Sequence, residues 1–423
     1  MRILWFVPKP LPVIENELNI KTPPTGGWLS GISNQLIRND NTELGVCFAG
    51  ENEGLIGNVS GITYYVVPKI KEYENVSSEK RYKLLKAIQD FNPDAITVFG
   101  TEHSFQSEIL KMLNASEFAP ITSVWIQGLV GVYYTHYKLG IPERLFYQRT
   151  PKEWVNGHTL KRDWYSFARR GENERQALSC VRHVFGRTEW DKAITKQCNP
   201  KASYHFCNET LREEFYNNKW SLEKCHRHAI FVSQCQTPIK GFHFVLKALE
   251  ILKKEYPDVK LYTTGRNLAT PTIPEKLRFS TYEKYLNQLI YEYGLHENVF
   301  FLGTLSAKEM CMQYINAHVF VSASSIENSP NSLGEAMILG VPVVSSYVGG
   351  VAGLLKDKEE GFLYQADAPY MLAEYVKQIF DDDEVALRFS KHARKHALDT
   401  HNREKNCDTL IKEYEKIAKC RGF

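Results

Sequence analysis

The stretch Ser325-Ile326-Glu327-Asn328-Ser329-Pro330-Asn331-Ser332-Leu333-Gly334-Glu335-Ala336-Met337, followed by the apolar run Val341-Pro342-Val343-Val344 and the pair Gly349-Gly350, decides how this chain is read. It predicts a strand end, a polar turn, a short helix and the next strand. Ser329 is a good helix N-cap and Pro330 a good first helical residue, so the helix is expected to begin there with its unpaired N–H groups facing outward. Such an end binds phosphate. Glu327 then precedes the helix and Glu335 lies one to two turns inside it, so an anion seated at the N-terminus has a carboxylate on either side. Carboxylates repel phosphate but accept hydrogen bonds from hydroxyls. The arrangement suits a ligand with a diphosphate in the middle and hydroxyl-rich groups at both ends, which describes a nucleotide-sugar.

Glu327, seven residues, Glu335, then Ala336-Met337, Gly340-Val341-Pro342-Val343-Val344 and Gly349-Gly350 resembles the donor-binding motif of the retaining GT-B glycosyltransferases of family 4, also called group 1. The resemblance implies that Glu327 hydrogen-bonds the donor hexose and Glu335 the ribose hydroxyls. It also implies that backbone amides around Asn331, Ser332 and Leu333 hold the diphosphate. The implied fold class is α/β GT-B, two facing Rossmann-like domains with an interdomain cleft.

Length and composition agree with two domains. A chain of 423 residues is too long for one ordinary core, and strand and helix patterns alternate in both halves. The net charge of +3 gives no electrostatic support to a nucleic-acid partner. No apolar run is long enough for a membrane span, and Met1-Arg2-Ile3-Leu4-Trp5-Phe6-Val7 meets Pro8 and Pro10 too early for a signal peptide. A cytoplasmic protein is expected, at the inner face of the membrane if it meets a lipid-linked acceptor. The nine cysteines form no C-x-x-C pair, so they are expected to be reduced packing residues rather than zinc ligands or a disulfide framework.

The division expected is 1–212 for an N-terminal acceptor-binding domain and 225–394 for a C-terminal donor-binding domain. Residues from about 395 to 423 are expected to pack back onto the first, by the family analogy. Between Asn208 and His228 the pattern breaks into charged and aromatic residues and reads as a linker.

In the first half, the strand Arg2 to Val7 leads through a proline-rich loop to Gly26-Gly27, where backbone N–H groups can approach a ligand closely. By the resemblance this loop lies near the donor phosphate and the acceptor. No G-x-G-x-x-G follows, so a nicotinamide-binding loop is disfavoured. The strand Pro93 to Gly100 delivers Thr101-Glu102-His103 to its C-terminal end, where open α/β sheets hold ligands, and Ile121 to Ile126 delivers Gln127 in the same way. The family places a His near the sugar after the equivalent strand. Here Gln127 takes that position, with His103 and His136 as nearby candidates and His103 preferred. A third strand, His183 to Gly186, ends in Arg187, which either approaches the donor phosphates or pairs with Glu189 or Asp191.

The second half begins with the strand Ala229 to Ser233. Gln234 to Phe242 resembles the family's phosphate-clamping segment, with Lys240-Gly241 matching its Lys-Gly element. The family's Arg falls on Ser233 or Gln234, and a guanidinium fork is not replaced by an amide. Either Arg266 or Arg187 meets the phosphate charge, or donor binding is weaker. The run Asp381-Asp382-Asp383-Glu384 reads as a solvated helix cap rather than a metal site.

The implied reaction is transfer of a hexose from a nucleotide diphosphate sugar to a glycan or lipid-linked glycan, as in surface polysaccharide assembly. Lys240 and the helix N-terminus would stabilise the departing diphosphate, without a metal cofactor. The catalytic candidates are therefore Glu327, Lys240 and His103. Aromatics such as Trp154, Trp164 and Tyr165 can stack on a sugar or approach lipid, and Lys161, Arg162, Arg169 and Arg170 permit peripheral contact with an anionic membrane. Two alternatives stay open: a GT-B-like sugar-nucleotide epimerase, and a catalytically degenerate paralogue that only binds nucleotide-sugar.

Overall fold

β1 (Arg2–Phe6) is a short run in which every residue after Arg2 is buried, as expected of a central strand in a parallel sheet covered on both faces. A computed structural model of the chain describes residues 1–20 and 27–422 and divides it into two units. Unit 1 comprises Met1–Gly131, Arg169–Arg212 and His401–Phe423. Unit 2 comprises Val132–Ala168 and Glu213–Thr400.

Unit 1 continues with β2 (Glu43–Ala49), β3 (Ile56–Val59), β4 (Ile62–Val67), β5 (Ala95–Phe99), β6 (Thr122–Trp125), β7 (His183–Gly186) and β8 (Ser203–Phe206). The sheet order is β3-β4-β2-β1-β5-β6-β7-β8, parallel apart from the β3–β4 pair. The strand order reverses between β1 and β5, so the loops after these two strands flank the sheet's switch point. The core carries an aromatic row across the strands: Phe99 stacks on Trp125 at 5.5 Å between ring centres, and Trp125 on Phe185 at 5.2 Å. Tyr414, on helix Arg403–Ala418, is buried in the same unit, where its hydroxyl meets Trp5 Nε1 at 3.0 Å and Thr97 Oγ1 at 2.7 Å.

Unit 2 holds β9 (Ala229–Val232), β10 (Lys260–Thr263), β11 (Val299–Phe301), β12 (Val319–Ser322), β13 (Val343–Ser346) and β14 (Phe362–Tyr364). Its six-stranded sheet has the order β11-β10-β9-β12-β13-β14 and is parallel throughout. The order reverses between β9 and β12. Helices connect the strands as sequence periodicity predicts, among them Ala307–Asn316, whose Ser306 cap accepts a hydrogen bond from the Glu309 N–H.

Several boundaries differ from the sequence reading. The helix of the central motif begins at Asn331 with Pro330 as its cap residue, one position later than the Ser329 cap and Pro330 start read from the sequence. Pro330 sits at φ −71° and ψ 119°, an extended conformation that its ring accommodates as readily as a first helical turn. Residues 132–168 group with unit 2, where buried Glu153 accepts from the Thr281 N–H at 2.7 Å. The stretch read as a linker contains the short helix Glu213–Tyr216 and a buried anchor. Trp220 is buried, its Nε1 donating to Ala317 O at 2.8 Å. At the acidic run, Asp382 accepts from the Glu384 N–H at 2.9 Å, a helix cap. All nine cysteines are free thiols and five besides Cys47 are buried. Among the described residues, no helix is long and apolar enough to cross a membrane.

Candidate functional site

In unit 2 the loops leaving β9 and β12 lie on the two sides of the switch point, and they carry Lys240 and Glu327. Lys240 ends the short helical turn Pro238–Lys240, and Gly241 follows in the left-handed region at φ +67°. A Cβ on Gly241 would lie 1.8 Å from Ala323 O, so only glycine lets this turn rest on the loop after β12. Ser325 closes the same junction from the other loop, its N–H donating to Ile239 O at 2.7 Å. Beyond β13, Gly349 is also left-handed, at φ +50°, and a Cβ there would lie 1.9 Å from Glu327 O. The Gly350 N–H donates to that carbonyl at 3.1 Å. The Glu327 loop is therefore held between two glycine-dependent contacts.

The geometry this produces is a salt bridge between two of the predicted site residues. Lys240 Nζ donates to Glu327 Oε1 at 2.5 Å, and Ser324 Oγ donates to the same oxygen at 2.8 Å. Glu327 is buried, while the lysine is partly open to solvent. A charge-assisted bond of this kind fixes the carboxylate's orientation. Sequence reasoning missed Ser324, although its place at the end of β12 is the signal that would have found it.

Helix Asn331–Leu339 starts four residues after Glu327. Helices leave their first N–H groups without intrahelical partners, which makes an N-terminus an anion site in principle; here the Leu333 N–H, one of the three amides expected to hold the diphosphate, already donates to Pro330 O at 3.0 Å. Asn331, Ser332 and Leu333 form its first turn, and the Ser332 carbonyl accepts from Tyr314 OH at 3.1 Å. Glu335 is only 5% exposed, not the solvated surface acid that a helix position alone would suggest. Arg266 lies in the loop after β10. Its Nη1 donates to Arg278 O at 2.8 Å and stands 4.0 Å from Glu283. The β9 and β10 loops are joined by Thr264 Oγ1 donating to Ser233 O at 2.7 Å.

Unit 1 has its own cluster at the ends of β5 to β8. Gln127 Nε2 donates to Glu209 Oε1 at 2.9 Å, and the Arg187 guanidinium pairs with the other oxygen of the same carboxylate, both partners being buried. The Arg187 guanidinium goes to Glu209 rather than to Glu189 or Asp191, because Asp191 accepts from the Arg187 and Thr188 backbone N–H groups as a helix cap. Glu209 was missed because β8 was not recognised. His103 occupies the N-cap position of helix Ser104–Asn114 without a side-chain capping bond and is 57% exposed at its side chain, with Nδ1 at 2.9 Å from Glu72 Oε1. Gly26 lies outside the described residues, and Gly27 is the first residue of helix Gly27–Leu36.

One buried acid was not anticipated. Glu174 accepts from Thr101 Oγ1 at 2.6 Å and from the Gly131 and Val130 N–H groups at 2.9 and 3.2 Å. It thus ties the loops after β5 and β6 together. Burial pushes its carboxyl up to about 7, against the pull of those hydrogen bonds.

Comparison with known proteins agrees with this description. Residues 213–396 match the family described as Glycosyl transferases group 1. The chain is 26% identical over 193 residues to D-inositol 3-phosphate glycosyltransferase of Corynebacterium urealyticum, a match covering 44% of this chain and 42% of that protein. It is 25% identical over 182 residues to spore coat protein SA of Bacillus subtilis, covering 42% and 46%. The matched stretch thus spans less than half the length of these curated relatives. Among solved structures, sucrose-phosphate synthase from Thermosynechococcus elongatus superposes with a TM-score of 0.70 at 14% identity, over 98% of each chain. Anabaena HepE in complex with UDP-glucose superposes with a TM-score of 0.65 at 15% identity, over 98% of this chain and all of that one. The chain therefore has the GT-B fold, two Rossmann-like α/β units, and its residues 213–396 are similar to the group 1 glycosyl transferases.

Proposed function

We propose that this chain is a glycosyltransferase that takes a hexose from a nucleotide diphosphate sugar and passes it, with retention at the anomeric carbon, to a glycan or lipid-linked glycan in polysaccharide assembly. The observation that carries the reading is the convergence of Lys240, Glu327 and the N-terminus of helix Asn331–Leu339 at the switch point of the second sheet, inside the stretch that matches the group 1 family. In this reading the donor diphosphate rests at the helix N-terminus, near Asn331, Ser332 and Leu333. Lys240, swung from Glu327 towards the phosphates, neutralises the charge that develops as the sugar leaves. Glu327, released from the lysine and still held by Ser324, accepts hydrogen bonds from sugar hydroxyls. Glu335 does the same for the ribose. Arg266 stands in for the absent clamp Arg at Ser233 or Gln234, and His103 and Gln127 remain the candidates for acceptor contact. No metal is assigned a role.

Calorimetric titration with UDP- and GDP-sugars tests the donor site, with UDP-glucose first because HepE was crystallised with it. Saturable binding to one nucleotide class, weakened by Lys240→Ala and Glu335→Ala, is the expected result. Undetectable binding at millimolar donor refutes it. One feature favours a second reading, a degenerate paralogue that binds without turnover: Arg187, an alternative phosphate cation, is already neutralised by Glu209. Measurable donor hydrolysis by the wild type excludes that reading.

A further inference from the structure

Helix Asp383–Thr400 buries Ala386, Phe389, Ser390, Ala393 and Ala397 within unit 2. Along a neighbouring flank it presents Leu387, Lys391, Arg394, Lys395 and Leu398, spaced by three and four residues and so aligned on one face. The turn Lys219 to Lys224 forms the facing wall, and the two line an open cleft of about 960 Å³, within the range of small-molecule sites. Its lining carries four lysines, Lys219, Lys224, Lys391 and Lys395, with Arg394, against the single carboxylate of Glu223. None of the four lysines has an ion-pair partner among the described residues. The buried hydroxyl of Ser221, in the same wall, also lacks a hydrogen-bond partner among them. Leu387 and Leu398 stay 50% and 40% exposed at the two ends of the basic row.

Arg394 places this cleft relative to the site around Glu327. Its Nη1 donates to Asn218 O at 3.2 Å and to Ile338 O, in the last turn of helix Asn331–Leu339. The cleft therefore borders the C-terminal end of the helix whose N-terminal end adjoins Glu327, roughly 13 Å away along its axis. The two sites cannot share one small ligand.

We propose that this cleft is a second ligand site, for a phosphate-bearing molecule with an apolar portion. The cations surround the phosphate, whose charge relieves the mutual repulsion of four unpaired lysines. Leu222, Leu387 and Leu398 cover the apolar part, and the Ser221 hydroxyl donates to a phosphate oxygen. A free organic phosphate and a phospholipid headgroup share this chemistry, and the test separates them.

The full chain is titrated with phenyl phosphate at low ionic strength by calorimetry. In parallel it is sedimented with vesicles of phosphatidylcholine containing phosphatidylglycerol, and with vesicles of phosphatidylcholine alone. Binding in one arm is expected, with affinity lowered roughly tenfold or more by the charge reversal Lys219→Glu/Lys391→Glu/Lys395→Glu and retained in Lys391→Arg/Lys395→Arg. Saturation by phenyl phosphate identifies a soluble ligand, and sedimentation only with the anionic vesicles identifies a headgroup. Lys240→Ala leaves this binding unchanged, which separates it from the donor site. Binding in neither arm, equal binding by the charge-reversed and native proteins at matched thermal stability, or loss of binding in Lys240→Ala alone overturns the proposal.

Discussion

Replacing Gly241 by alanine tests whether the contact between the β9 and β12 loops is what assembles the site. The new Cβ would stand 1.8 Å from Ala323 O, while ordinary contact requires about 3.4 Å, so one loop must withdraw by roughly 1.5 Å. Left-handed backbone at φ +67° adds about 1 kcal/mol for a residue with a Cβ. Strain and displaced packing together are expected to cost on the order of 3 kcal/mol, which lowers the unfolding temperature of a unit this size by roughly 5–10 °C. Because the withdrawing loop carries Glu327 or Lys240, donor binding falls as well, and a displacement of about 1 Å is enough for a loss of ~10²-fold in catalysis. Gly294→Ala is the matched control. It has the same sign of φ, +61°, but nothing lies within 4 Å of its Cβ, and it precedes β11, an edge strand of the sheet. It should lose only the conformational term, about 1 kcal/mol, with nucleotide affinity unchanged. Thermal unfolding and calorimetry with UDP are run on both variants. If Gly241→Ala unfolds and binds as Gly294→Ala does, the steric argument is wrong.

Three other outcomes are expected. The Glu174 carboxyl, near 7 in the folded protein and near 4.5 when unfolded, holds its proton more tightly in the native state. Its contribution to stability is therefore present below the unfolded value and is lost as pH rises from 4.5 to about 7, by on the order of 3 kcal/mol. Glu174→Gln should flatten the denaturant-midpoint profile across that window, and an unchanged slope counts against it. His243 has the opposite sign. Burial pushes it down to about 3, against the pull of the bond between its Nε2 and Leu139 O at 3.1 Å, so stability is lost as pH falls below about 6.5. His243→Leu should reduce the acid sensitivity of unfolding while lowering stability at neutral pH, and an unaltered acid limb refutes the assignment. Trp220→Ala should cost roughly 3–5 kcal/mol by urea unfolding, because a buried indole and its bond to Ala317 O are lost. A cost under about 1 kcal/mol would mean that this stretch is the loose linker its sequence resembles.

Much of the fold was legible because parallel strands announce themselves locally. Ala95–Phe99, His183–Gly186 and Ala229–Val232 are largely apolar runs next to turn residues, and the structure places them within a residue or two of where periodicity puts them. Ser203–Phe206 was not legible, since as an edge strand in unit 1 it alternates polar and aromatic residues with none fully buried. With it went Glu209, which looked like linker and proved to be a buried acid gathering Gln127 and Arg187. Glu174 was hidden for another reason. Helical spacing tells which face a glutamate takes, and only the docking of that helix against the β5 and β6 loops supplied its three donors.

By itself the sequence determined the residue types and their local frames: two carboxylates eight positions apart around a helix start, a lysine before a glycine, and apolar strands to carry them. These follow from short-range sterics and periodicity, which neighbouring residues settle among themselves. The tertiary structure decided that Lys240 meets Glu327, 87 residues away, and that Ser324 shares the same carboxylate oxygen. That pairing depends on β9 lying beside β12 in the sheet and on Gly241 and Gly349 admitting carbonyls from distant loops. Strand adjacency and close backbone contact are set by packing of the whole unit, so no local pattern encodes them.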